Sequence, residues 1–141
     1  MNIIVFAKQI RHTYARTGDS PESHFICPED GVYRVDPHDE AALELALRLK
    51  DEYNDINVTL VTLGAMIAEQ EIQRCLATGA DHLYQIVVSG QAASESDPLD
   101  QPDPWVKSDL MARAVKELRG DMVLCGKASL DKGSGQVGAL L

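Results

Sequence analysis

Small and basic residues follow a short apolar run near the end of the sequence, a combination suited to binding phosphate. Residues 121–141 read DMVLCGKASLDKGSGQVGALL, which predicts a buried strand over 122–125, then a loop and the opening of a helix. Backbone N–H groups at a helix start have no partner within the helix, so they can donate to an anion. Ser134 is the expected cap of that helix, and Lys127 and Lys132 add positive charge. Four glycines within thirteen residues allow tight turns and close approach to a ligand: Gly126, Gly133, Gly135 and Gly138.

This segment lacks two common nucleotide-binding patterns. It has neither the glycine–lysine–serine/threonine ending of a Walker loop nor GxGxxG, so an ordinary glycine-rich turn is the alternative to a phosphate site. Lys8 is a second candidate, because it follows the first strand at the edge where parallel sheets bind ligands, although a solvated strand end is the commoner role. Histidines, cysteines and paired carboxylates do not cluster in the sequence, which argues against a catalytic centre.

The composition indicates an acidic globular protein. Its 141 residues, 45% of them apolar, suit one domain with a real core. Twenty-two acidic against 13 basic residues give a net charge of −9, which disfavours nucleic acid and anionic membranes as partners. Neither a membrane-spanning apolar stretch nor a signal peptide is evident. Three widely spaced cysteines, Cys27, Cys75 and Cys125, fit a reduced, cytoplasmic compartment without a disulfide framework or zinc site.

Strand and helix patterns alternate along the chain, which predicts an α/β fold with a parallel sheet. Apolar runs predict strands at 3–7 and 58–63, further strands are expected at 83–88 and 122–125, and helices are expected at 37–53, 66–78 and 105–118. Two helices begin with Asp-Pro, which makes Asp36 and Asp103 N-caps with proline in the first turn. The apolar stripe of the helix at 105–118 is expected to face the core: Val106, Leu110, Met111, Ala114, Val115 and Leu118.

Two segments show neither the helical nor the strand periodicity of apolar residues. Residues 11–34 are expected to form a long loop, with a short hairpin near 29–31 as an option, and residues 89–104 an acidic, proline-rich connection. The sequence stops at Leu141 within an apolar helical pattern and without a fifth strand, so we expect a single domain, 1–141, that is truncated after its fourth strand. A missing remainder would leave a strand edge uncovered, which predicts self-association or the need for a partner.

Four sequence blocks follow one another along the chain: IIVFAKQI at 3–10, DPHDEAALE at 36–44, LATGAD at 76–81, and DMVLCGK at 121–127 followed by Asp131, Gly133 and QVG at 136–138. Together they resemble the β subunit of electron transfer flavoprotein (the FixA type). The blocks are similar to that family's first strand with its trailing lysine, its Asn-Pro-x-x-Glu helix opening, its Leu-Ala-Met-Gly-Ala-Asp turn and its nucleotide loop. They span this whole chain but only about the first half of the family's subunit.

The resemblance implies a Rossmann-like parallel sheet of the adenine nucleotide α-hydrolase type. In the family, this half of the β subunit holds AMP, or a second FAD in bifurcating members. The β subunit pairs with an α subunit, and the heterodimer carries an FAD that relays electrons from dehydrogenases, so an electron carrier rather than an enzyme is implied. The residues implied to line the adenosine pocket are Phe6, Ala7, Asp36, Pro37, His38, Asp39 and Leu63. Those implied to wrap the phosphate are Gly126, Lys127, Asp131, Lys132, Gly133, Ser134, Gly135, Gln136 and Val137.

Three features depart from the family pattern. Asp36 stands where the family usually has Asn; a carboxylate cannot donate a hydrogen bond and repels phosphate, so a ribose hydroxyl is its more plausible partner. The insert at 89–104 has no clear counterpart, and the second half of the subunit is absent. The main alternative function is a stand-alone adenine-nucleotide-binding protein of the universal-stress type. A PP-loop enzyme would need a Ser-Gly-Gly-x-Asp-Ser loop, which is absent, and a degraded member that only packs against a partner is the remaining option.

Overall fold

The computed structural model describes residues 1–12, 32–88 and 102–141. Strands and helices alternate in them as the sequence predicts, with one additional pair of short strands. The hairpin expected near 29–31 and most of the 89–104 connection lie outside the described residues. In chain order the elements are β1 (Asn2–Phe6), β2 (Gln9–Arg11), β3 (Tyr33–Val35), α1 (Pro37–Glu52), β4 (Asn57–Leu63), α2 (Glu69–Ala77), β5 (His82–Ile86), α3 (Pro104–Glu117), β6 (Met122–Leu124) and α4 (Val137–Leu140).

Four strands form a parallel sheet in the order β5-β4-β1-β6, which confirms the predicted α/β, Rossmann-like class. β1 lies inside the sheet, where Ile3 is in register with Val58 of β4 on one side and with Met122 of β6 on the other. The chain builds the sheet outwards from β1 through β4 to β5, and then returns to add β6 on the other side of β1. Open α/β sheets bind ligands outside the carboxyl ends of the strands at such a reversal.

Apolar side chains cover both faces of β1. Ile3 and Val5 pack in a core that α1 and α2 complete, whereas Ile4 and Phe6 pack in a second core with Met111 of α3. Full burial of one such side chain stabilises a fold by roughly 1.5–3 kcal/mol. Because residues 3–6 are all buried, β1 is the strand on which both layers of helices are assembled.

The expected long loop at 11–34 begins and ends in strands, because β2 and β3 form a two-stranded antiparallel sheet with Gln9 opposite Val35. The Gln9 side chain is 1% exposed, and its Nε2 donates to Thr62 Oγ1 at 2.9 Å. Its Oε1 accepts from the backbone N–H groups of Ile67 and Ala68, at 2.9 and 2.7 Å. This amide fixes the turn between β4 and α2, so α2 begins at Glu69 rather than near residue 66.

Both Asp-Pro helix starts are confirmed. Asp36 accepts from the His38 N–H at 2.9 Å at the start of α1, and Asp103 accepts from the Trp105 N–H at 2.8 Å at the start of α3. α1 ends at Glu52, close to the predicted end. None of the helices in the described ranges is both long and apolar enough to cross a membrane.

Three local predictions are wrong. The last strand was expected to be buried, but β6 is an edge strand paired with β1 and its Met122 is 38% exposed. Val106 was expected to face the core, but it is 40% exposed, because α3 turns the neighbouring Lys107 inward instead. Ser134 does not cap α4, which begins after Gln136 and has no side-chain cap.

Candidate nucleotide site

A cavity of about 250 Å³ opens at the carboxyl edge of the main sheet. The ends of β1 and β4 contribute apolar wall residues, including Phe6, Ala7 and Leu63. The start of α3 and the glycine-rich segment 125–138 after β6 complete the wall. Small-molecule pockets commonly enclose roughly 300–1,000 Å³, so the volume of this open cavity is slightly below that range. It lies beside the reversal between β1 and β6, where the topology predicts a ligand.

Asp39, in the first turn of α1, connects the ends of the two strands that flank this reversal. Its Oδ2 accepts from the Lys8 N–H at 2.8 Å, and its Oδ1 accepts from the Gly126 N–H at 2.6 Å. Burial raises the pKa of this carboxyl to about 6 against the opposing effect of the two N–H donors, and the charge of Asp36 contributes to the rise. Asp39 therefore positions the backbone at the cavity edge, and its pKa of about 6 means that its charge state changes near pH 6.

Asp36 fixes the glycine-rich segment as well as the helix that it caps. Its Oδ2 accepts from the Leu130 N–H at 2.7 Å, while its Oδ1 accepts from His38. The residue is 1% exposed and does not line the cavity. The contact with a ribose hydroxyl stays a prediction, and it would have to use the remaining lone pairs of the carboxylate.

Lys8 is neither a free ligand group nor a solvated strand end. Its Nζ forms an ion pair with Asp131 and donates to Ser129 Oγ at 3.1 Å. Burial alone would raise the pKa of Asp131, but hydrogen bonds from Lys8 and Ser129 together hold it below its usual value. These contacts join the glycine-rich segment to the end of β1 and neutralise one of the lysines at the cavity.

Gly126 allows β6 and α1 to approach each other closely. A Cβ atom at this position would lie 2.6 Å from His38 Cβ and 2.9 Å from the backbone carbonyl carbon of the same residue. A larger residue would therefore push the helix start away from the strand, and the short bond from Gly126 to Asp39 would be lost. This glycine serves the packing that shapes the cavity, in addition to any role in ligand contact.

Hydrogen-bond donors and positive charge collect along the wall of the cavity. The backbone N–H groups of Ser134, Gly135 and Gln136 make no intramolecular hydrogen bond in the described part of the chain. Gly135 has a φ of +61°, a conformation that glycine adopts without strain. The charged lining residues are four lysines and two aspartates: Lys8, Lys107, Lys127, Lys132, Asp39 and Asp103. The lining is thus positive on a chain of net charge −9, which makes it the natural site for an anion.

Comparison with known proteins agrees with this architecture. The model of the electron transfer flavoprotein domain family matches residues 25–141, most of the chain. The chain belongs to the electron transfer flavoprotein family. It is 33% identical over 142 residues to the electron transfer flavoprotein subunit beta of Bacillus subtilis, covering 97% of this chain and 49% of that protein.

Two other relatives of this family extend the comparison. Protein FixA of Azotobacter vinelandii is 33% identical over 138 residues, which cover 98% of this chain and 47% of that protein. The caffeyl-CoA reductase-Etf complex subunit CarD of Acetobacterium woodii is 33% identical over 140 residues, with coverages of 99% and 50%. The chain therefore spans about half the length of the curated relatives it matches.

The cavity includes many of the positions implied by similarity to electron transfer flavoprotein, but not all of them. The implied residues that line it are Phe6, Ala7, Asp39, Leu63, Gly126, Lys127, Lys132, Ser134, Gly135, Gln136 and Val137. The implied residues outside its lining are Asp36, Pro37, His38, Asp131 and Gly133. Sequence reasoning did not single out Lys107 and Met111 of α3 or Ser129 as lining residues. The sequence contained one signal for Lys107, because a charged residue there interrupts the apolar stripe of α3.

Proposed function

We propose that this chain is the nucleotide-binding part of an electron transfer flavoprotein β subunit, and that its cavity holds an adenine nucleotide. The observation that carries the proposal is the position of the cavity, at the carboxyl edge of a Rossmann-like sheet beside the β1–β6 reversal. Family membership over most of the chain supports the same function. On this proposal the chain forms one adenine-nucleotide-binding domain.

The wall of the cavity suits the two ends of a nucleotide. Phe6, Ala7 and Leu63 offer an apolar surface for the adenine and ribose, whereas the glycine-rich segment offers free N–H donors and lysines for phosphate. AMP fits this division as a structural ligand, and FAD is the second candidate because its adenine half carries the same groups. A bound FAD would supply electron-carrying chemistry, whereas the described residues of this chain would bind, orient and shield the nucleotide.

The proposed assembly is a cytoplasmic complex with an electron transfer flavoprotein α subunit. The complex would carry electrons from a dehydrogenase, and this chain would act as a carrier subunit rather than as a catalyst. The names of its relatives, which include subunits of an electron transfer flavoprotein and of a reductase–Etf complex, support a role within a larger assembly. Since the chain spans about half of those relatives, pairing requires its own test.

The first experiment is identification of the small molecule that co-purifies with the protein. The purified chain is denatured, the released molecules are separated, and mass spectrometry identifies and quantifies them. Near-stoichiometric AMP is the expected result, and FAD would support the bifurcating type of subunit. ATP released from a stable homodimer would favour the universal-stress alternative. Absence of nucleotide, together with no binding of added AMP or FAD, would contradict the proposal.

Pairing is tested by co-expression with the α subunit encoded in the same genome. We expect the two chains to co-purify and the complex to show the absorbance of a bound flavin. An α subunit that binds FAD equally well without this chain and never co-purifies with it would contradict the proposed partner.

A further inference from the structure

Lys107 occupies an unusual place for a lysine. It lies in the first turns of α3, is 8% exposed, and contributes to the wall of the cavity. Its ammonium group has no hydrogen-bond or ion-pair partner in the described part of the chain. Lysines are rarely buried unless they are paired, because removing the charge from water is costly. The position therefore needs a reason outside the described protein contacts.

The charges around Lys107 make its position still less favourable. Burial, together with the ammonium groups of Lys8 and Lys132, lowers the pKa of Lys107 from 10.5 to about 8. Asp131, in the glycine-rich segment, and Asp103, the cap of α3, oppose this shift without making an ion pair with Lys107. Lys8 is already neutralised by Asp131, and no carboxylate forms an ion pair with Lys107 among residues 1–12, 32–88 and 102–141. An anion in the cavity would supply that missing charge.

We propose that Lys107 binds a phosphate group of the nucleotide and makes the cavity selective for phosphorylated ligands over the corresponding nucleosides. This inference rests on the proposed function and assigns one of its binding residues. A phosphate accepts charge-assisted hydrogen bonds from an ammonium group, which are shorter and stronger than neutral ones. The glycine-rich segment lines the same cavity, so its N–H donors and Lys107 can act on one anion from different walls.

The substitution Lys107→Met tests this role, because methionine keeps much of the side-chain volume and removes the charge. Replacing an unpaired ammonium at the cavity wall with an apolar group should not destabilise the fold, which thermal unfolding can verify. Lys116→Met is the matched control, since Lys116 is on the same helix but exposed. Calorimetric titrations with AMP and with adenosine, on protein from which co-purified nucleotide has been removed, compare the two variants with the wild type.

We expect Lys107→Met to bind AMP roughly 10- to 100-fold more weakly, the usual effect of losing a hydrogen bond to a charged group. Adenosine binding should be unchanged in both variants, and Lys116→Met should bind AMP as the wild type does. Lys107→Arg should retain part of the preference for AMP, because it retains the charge. These differences would show that Lys107 acts on the phosphate and not on the nucleoside.

Proton uptake provides a second readout that a merely structural lysine would not give. A bound phosphate stabilises the charged form of Lys107 and raises its pKa, so binding near pH 8.5 should take up a proton and weaken as the pH rises further. The phosphate itself is already a dianion there, since its second pKa is about 6. Titrations in buffers of different ionisation enthalpy should detect uptake in the wild type and in Lys116→Met, and little in Lys107→Met.

The outcomes separate this inference from the proposed function. Unchanged AMP affinity and proton uptake in Lys107→Met would overturn the role of Lys107 and leave nucleotide binding intact. If the wild type binds neither AMP nor FAD, the nucleotide proposal fails, and titration with inorganic pyrophosphate then tests the anion site directly. Pyrophosphate bound by the wild type and not by Lys107→Met would support the inference. Pyrophosphate bound by neither, or equally by both, would overturn it.

Discussion

At the scale of single residues, Asp39 makes the stability of the fold depend on pH. Its carboxylate accepts from two backbone N–H groups, of Lys8 and Gly126, while it is 9% exposed. Burial raises its pKa from 3.8 to about 6 in the fold. A folded pKa above the unfolded value means that the group's stabilising contribution is fully present below about pH 4. That contribution is then lost as the pH rises through about 6.

Asp39→Asn removes this titration. The asparagine oxygen can accept from one of the two backbone N–H groups, of Lys8 or Gly126, but the NH₂ group must then face the other. We therefore expect a loss of stability at every pH. The loss should be larger by about 1.5 kcal/mol at about pH 5 than at about pH 7.5, because only the wild type gains from protonation. Urea unfolding at the two pH values measures the difference. The control is Asp51→Asn, on the exposed face of the same helix, whose effect on stability should be the same at both pH values. If the loss of stability changes with pH in the same way in both variants, the role of Asp39 is contradicted.

At the scale of elements, the two Asp-Pro helix starts look alike in sequence but differ in what they hold. Asp103 is exposed and caps α3 alone, whereas Asp36 is buried and also accepts from the N–H of Leu130 in the glycine-rich segment. A lost helix cap costs about 1 kcal/mol. Leaving a further part-buried N–H group without its partner adds about 1–3 kcal/mol.

We therefore expect Asp103→Ala to lower the free energy of unfolding by about 1 kcal/mol and Asp36→Ala by about 2–4 kcal/mol. Urea denaturation of the two variants under one set of conditions gives the comparison. Amide hydrogen exchange at Leu130 identifies the cause, since its protection should fall in Asp36→Ala and persist in Asp103→Ala. Equal losses of stability in the two variants would mean that the bond to Leu130 contributes nothing.

The same contrast explains which parts of the structure were predictable. The caps at Asp36 and Asp103 are local signals, because proline and a capping side chain act within one turn. The role of Gln9 depends on Ile67 and Ala68, almost sixty residues away, so no local pattern reveals it. Part of the site followed from family resemblance, whereas the inward position of Lys107 depends on how α3 is rotated over the sheet.

At the scale of the whole molecule, the sheet has an apolar edge. β6 is Met-Val-Leu, lies at one end of the order β5-β4-β1-β6, and has β1 as its one partner strand in the described residues. The opposite edge strand, β5, reads His-Leu-Tyr-Gln-Ile and carries more polar groups. Unpaired N–H and C=O groups on an apolar edge favour pairing with another chain. The chain is therefore expected to self-associate through β6 when no partner subunit is present.

Sedimentation velocity over a range of protein concentrations tests this expectation. If the wild-type chain self-associates, its sedimentation coefficient should rise with concentration. Met122→Lys places a charge on the partly exposed edge residue of β6 and should shift the population towards monomer, since edge lysines oppose strand pairing. Tyr84→Lys makes a comparable change on β5 and should leave association unchanged. If the α subunit covers β6, its addition should replace self-association by a one-to-one complex. A wild-type chain that stays monomeric at every concentration, or a loss of association only in Tyr84→Lys, would contradict pairing through β6.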